Sequence, residues 1–84
     1  MKLTKEQLAD IRSDSRKVHI ATLRHAVCLK LSQMGYCEER IARFINRNRT
    51  TVNHSKHKAV ELLDSRDKIM LRMWSKVNSS ENSG

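Results

Sequence analysis

Asn46-Arg47-Asn48-Arg49-Thr50-Thr51-Val52-Asn53-His54 reads as a turn that opens directly into a helix whose first turn is basic and hydrogen-bonding rather than acidic. Asn48 suits the N-cap, because its side-chain oxygen can accept from a first-turn N–H that has no partner inside the helix. Arg49, Thr50 and Thr51 then occupy the opening turn. The N-terminal end of the helix dipole is positive, so an arginine there opposes the local field. A DNA phosphate or base edge relieves that opposition.

Working outward, the spacing predicts a short helix before this turn, from Glu38 to Ile45, with Ile41, Phe44 and Ile45 toward the core and Arg40 and Arg43 toward solvent. The helix beginning at Arg49 runs to about Leu63. Val52, Ala59 and Leu63 share one side of it, and Thr50, Asn53, His54 and His57 another. Upstream, Ile20, Leu23, Val27, Leu31 and Met34 recur at helical spacing and predict a central helix from about Arg16 to Met34, ended by Gly35 in the left-handed region. Before it, Ser13-Asp14-Ser15 forms a break. Ahead of that break, Thr4 and Gln7 have capping-box spacing and Leu3, Leu8 and Ile11 a narrow apolar stripe, which predicts a short peripheral helix. After a break at Asp64-Ser65, a last helix is expected from about Arg66 to Val77. Its apolar face is Ile69, Met70, Met73, Trp74 and Val77, with Trp74 as anchor.

The expected fold class is therefore all-α, a small bundle of four to five helices containing a helix-turn-helix. Residues 1–77 form the single domain, and residues 78–84, Asn78-Ser79-Ser80-Glu81-Asn82-Ser83-Gly84, a disordered tail. An 84-residue chain has room for one modest core. The absence of proline, the two glycines and the scarcity of aromatics favour helices over sheet. Seventeen Lys and Arg against nine Asp and Glu give a net charge of +8, which favours a polyanionic partner, nucleic acid before a membrane surface.

Other classes find little footing. Cys28 and Cys37 read as reduced thiols of a cytoplasmic protein, Cys28 as a small core residue. No apolar run suggests a leader or a bilayer span, so a soluble protein of the cytosol or nucleoid is expected. His54 and His57 lack a C-x-x-C or a clean Cys/His set, so no metal is expected. His19 and His25 read as surface or helix-flank positions. No G-x-x-x-x-G-K-[ST] loop, paired carboxylates or nucleophile with a base can be assembled, so no nucleotide, no cofactor and no enzyme is expected.

Arg47-Asn48-Arg49-Thr50-Thr51-Val52-Asn53-His54 resembles the R-D-H-[ST]-T-V-x-H signature of the C-terminal DNA-binding domain (domain IV) of the bacterial replication initiator DnaA, in the Trp-repressor-like group of folds. Ser15-Arg16 and Arg24 match positions before and within the core helix. Ile41-Ala42-Arg43-Phe44 resembles the I-G-x-x-[FL] ahead of the signature, and Lys58 falls nine residues beyond Arg49. The resemblance spans Ser15 to Val77. It implies base reading by Asn48, Arg49 and Thr50, a minor-groove arginine at Arg16, and phosphate contacts from Arg24 and Lys58, with Thr51 at the junction of base and phosphate contacts. On the residues themselves, Asn53 joins the base-reading side, while Arg43, Arg47 and His54 are candidates for the backbone.

Two lead positions depart from the signature, Asn48 standing for its aspartate and Arg49 for its histidine. An acidic side chain accepts from cytosine N4, whereas Asn suits adenine and Arg suits guanine O6 and N7, so the docking mode and the target sequence separate. The stretch between Arg24 and the signature is also about two residues shorter than in the family. The resulting expectation is a stand-alone, sequence-preferring double-stranded DNA-binding protein serving replication or transcription regulation in a bacterium, phage or mobile element. The alternative is a protein-interaction module that binds a replication or regulatory partner and has only non-specific DNA affinity. RNA is disfavoured, because Tyr36, Phe44 and Trp74 offer no stacking platform.

Overall fold

The computed structural model describes residues 3–78. Five helices follow one another: α1 (Lys5–Arg12), α2 (Val18–Gln33), α3 (Glu38–Ile45), α4 (Arg49–Asp64) and α5 (Lys68–Asn78). No strand occurs among the described residues.

Local chemistry sets most boundaries. Thr4 Oγ1 accepts from Gln7 N, and Thr4 N donates to Gln7 Oε1, both at 3.0 Å, so the capping box forms as its spacing predicts. Three helices close with one device. A residue in the left-handed region follows the helix, and the next N–H returns to a carbonyl five residues back: Tyr36 to Leu31 past Gly35, Arg47 to Ala42 past Asn46, and Asp67 to Leu62 past Arg66. Glycine enters that region without steric cost and asparagine at little; Arg66, at φ 59°, does so against its Cβ.

α2 is the axis of the bundle and packs most extensively on α4 and α5. Ile20, Leu23, Ala26, Val27, Cys28 and Leu31 are all buried, so the helix buries a broad face and not one narrow stripe. Ile11, Ile41, Ile45, Val52, Ala59, Met70 and Val77 complete the core from the other helices.

Five boundaries and two core expectations need correction, the first being that α2 ends at Gln33 and not Met34. α2 starts at Val18, not Arg16, because Ser13 Oγ accepts from Ser15 N (3.2 Å) and Ser15 Oγ from Lys17 N (3.3 Å), holding the chain in an extended link. α4 runs on through Asp64. α5 starts at Lys68, because Arg66 is left-handed and Asp67 Oδ2 caps Met70 N at 2.9 Å. Asn78 belongs to α5, with its side chain donating to Trp74 O at 2.8 Å, and the rest of the expected tail lies outside the described residues. Met34 is exposed past the end of α2, and Trp74 is only partly buried, leaving Met70, Met73 and Val77 to anchor α5.

Candidate nucleic-acid interface

Ile45 and Val52, both fully buried, fix the chain on either side of the turn between α3 and α4. Within it, Asn46 adopts φ 59° and ψ 48°, and Asn48 Oδ1 accepts from Thr51 N at 2.8 Å. The N-cap is therefore the one the sequence predicts. With both ends pinned by core residues, the solvent-facing side chains of the first turn of α4 have little choice of direction.

Those side chains open on a concavity of about 730 Å³ between α3 and α4. It gathers Asn48, Arg49, Thr50 and Asn53 with Arg43 of α3, while Glu38 and Glu39 line it as well. Four of the side chains expected to read bases thus share one surface with a cation expected to grip the backbone. No acidic residue stands in the first turn of α4. Glu38 reaches in from α3, accepting from Lys56 Nζ at 3.1 Å and standing 4.0 Å from Arg49 Nη2. It bridges α3 to two cations of α4, and it holds Arg49 loosely: the arginine side chain is 68% exposed.

The remaining expected contacts divide. Arg16 is exposed on the link before α2, and His54 is exposed on α4. Thr51 is half-buried. Lys58, its side chain 44% exposed, pairs with Glu61 at 3.1 Å. An exposed pair of this kind contributes little, so Lys58 remains available to a phosphate.

Arg24 and Arg47 take other positions than the backbone-contacting ones expected of them. Arg24 is buried; its Nε donates to Ile11 O at 2.9 Å and its Nη2 to Ser13 O at 3.1 Å and Ser15 O at 3.3 Å. Burial, with Arg47 nearby, pushes its pKa below the usual arginine value. Arg47 Nη2 also donates to Ser13 O, and Asp14 lies 3.8 Å away. Two guanidinium groups therefore tie down the link that presents Arg16. The sequence could not separate these arginines from the exposed ones, since each role depends on carbonyls nine or more residues away.

His25 is half-buried and not a surface position, with Nδ1 3.1 Å from Ser55 Oγ of α4. Burial, then the charges of Arg24, His54 and Lys58, lower its pKa to about 4. Cys28 is fully buried, and burial pushes its thiol up to about 11, which leaves it a core residue without nucleophilic character at neutral pH. Among the described residues no group of three or more His, Cys, Asp or Glu stands together to hold a metal ion. No described helix is long and apolar enough to cross a membrane. Comparison with protein-family models, curated proteins and solved structures finds no match. Glu38 and Lys56 are the additions to the site that sequence reading missed; they lie 18 residues apart, and no local pattern links them.

Proposed function

We propose that this chain is a DNA-binding protein that prefers particular duplex sequences and works in replication or transcription control in the cytosol. The observation that carries the reading is the concavity in which Asn48, Arg49, Thr50 and Asn53 face outward beside Arg43, in a chain of net charge +8. A helix whose first turn offers an amide, a guanidinium and a hydroxyl, preceded by a short helix and a three-residue turn, suits insertion into the major groove. The likeness of residues 47–54 to the DnaA signature supports the same docking. Arg16, held out on its link, suits the neighbouring minor groove, and Lys58, Thr51 and His54 suit phosphates.

The test is selection of duplexes from a randomised pool near 150 mM salt, where purely electrostatic association is already weak. A short enriched motif is the expected result, and a flat pool overturns the proposal. On the enriched site, Arg49→Ala and Thr50→Ala should each weaken binding by about 1 to 3 kcal/mol while barely affecting random DNA. Lys58→Ala should weaken both and reduce the salt slope by about one. Equal loss on both DNAs from Arg49→Ala would exclude base reading by that residue.

Glu38 adds a second expectation. As a carboxylate beside the site it repels phosphate and restrains Arg49 and Lys56, so Glu38→Gln should raise affinity for random DNA while the preference for the selected site falls about threefold, the scale of one exposed ion pair. Paired titrations of both duplexes measure the ratio, and an unchanged ratio would remove Glu38 from the specificity argument.

A further inference from the structure

α3 presents a second outward face. Where its residues Arg40, Ile41 and Phe44 meet the end of α2 and the following link, a hollow of about 310 Å³ opens, with Leu31, Met34 and Tyr36 as its other lining residues. Leu31 and Ile41 are buried and belong to the core, whereas Met34 is 50% and Tyr36 42% exposed. Phe44 is only partly covered. The Arg40 guanidinium stands over the Tyr36 ring, 5.6 Å from its centroid, and that stacking holds the charge at the rim. Arg43 joins Arg40 and Phe44 in an adjoining shallow hollow. Among the described residues no acidic one lines either hollow, in contrast to the concavity facing α4, which contains Glu38 and Glu39.

From this we propose that the hollow between the end of α2 and α3 is a docking site for an acidic peptide segment of a partner protein, anchored by one aromatic or long aliphatic side chain. The volume sits at the lower end of the range for ligand pockets, about 300 to 1,000 Å³, and suits one or two side chains better than a cofactor. Water is displaced from Met34, Tyr36 and Phe44 only by an apolar anchor; a phosphate backbone would leave those surfaces wet. The two arginines then select carboxylates flanking the anchor, since a guanidinium fork pairs with a carboxylate through two hydrogen bonds. This site shares Arg43 with the concavity at the first turn of α4 and is otherwise distinct from it, and the inference stands whether or not the chain reads DNA.

The test is a random-peptide display selection on the full chain, followed by titration of the enriched peptides as labelled synthetic copies. Enriched sequences should place Asp or Glu beside Trp, Phe or Leu. Their affinity should fall at least tenfold in Met34→Glu and in the double variant Arg40→Glu, Arg43→Glu, and remain unchanged in Lys68→Glu on α5. The substituted side chains are exposed, and circular dichroism of each variant verifies the fold. Absence of enrichment, enrichment without acidic residues, or peptides whose affinity survives Met34→Glu would overturn the proposal. So would self-association of the chain that Met34→Glu abolishes, or binding of a single-stranded oligonucleotide that the same substitution removes, since either result gives the hollow a different occupant.

Discussion

Arg24→Ala should lower the unfolding free energy by about 3 kcal/mol and loosen the link between α1 and α2, read as a lower urea midpoint and faster amide exchange in that link. The side chain is 8% exposed and donates to three carbonyls, those of Ile11, Ser13 and Ser15. Hydrogen bonds from a charged donor are each worth about 1.5 to 3 kcal/mol, and truncation also removes the packed stem. Opposing this, Arg24 stands close to Arg47, and removing one of two like charges relieves repulsion. Three carbonyl acceptors outweigh that relief, since Asp14 already offsets part of the charge 3.8 Å from Arg47. Arg24→Lys keeps the charge but not the fork, and should lose about half as much.

Arg24 and Arg47 converge on the same Ser13 carbonyl, which has two lone pairs to accept both. Their alanine substitutions should therefore not add, because either arginine alone retains some hold on the link. An unchanged midpoint in Arg24→Ala would show that the link is held by other contacts. Under the function proposed above, loosening the link that carries Arg16 should also weaken duplex binding, while the base preference proposed for Arg49 persists.

What the sequence revealed was local. The Thr4–Gln7 box, the bounds of α3, the glycine past α2 and the Asn48 cap all depend on residues within a turn of one another, and all stand as read. The outward set Asn48, Arg49, Thr50 and Asn53 was legible for the same reason: a helical period fixes which side chains share a face once one face is buried. The start of α2 was not, because Ser13 and Ser15 satisfy neighbouring N–H groups through side-chain turns that compete with the helix. Nor was the start of α5, since nothing near Arg66 announces a left-handed arginine.

The larger misreadings came from groups whose partners are distant in the chain. In sequence Arg24 looks like Arg16 and Arg43, and only the approach of Ser13 and Ile11 makes it an internal clamp. Glu38 was not singled out, because its partner Lys56 lies 18 residues away in the chain. His25 passed for a helix-flank residue because its partner, Ser55, is 30 residues away. Basic and polar side chains are interchangeable to a periodicity argument, and the packing of α2 on α4 decides which of them face inward.

That packing also predicts an acid-sensitive fold. His25 projects from α2 against α4, its Nδ1 3.1 Å from Ser55 Oγ, and Ser55 itself is 1% exposed. Protonation there is opposed first by burial, then by the charges of Arg24, His54 and Lys58, which together bring the pKa from 6.5 to about 4. The folded state thus favours the neutral ring, while the unfolded chain takes up a proton near pH 6.5. Stability from this group is fully present above pH 6.5, declines as the pH falls through that value, and is spent by about pH 4. The ring is only half-buried and solvent screening weakens the effect, so the full decline amounts to about 1 to 2 kcal/mol. The window from pH 6.5 to 5 lies inside the range over which the proton uptake of His25 differs between the folded and unfolded states. Urea midpoints measured across it should slope downward in the native protein and lie nearly flat in His25→Gln, whose amide can still hydrogen-bond Ser55 but takes up no proton. A slope that survives in His25→Gln would assign the acid sensitivity to other groups. With the slope gone, His25 becomes the point at which acid loosens α4, and with α4 the outward presentation of Arg49 and Thr50.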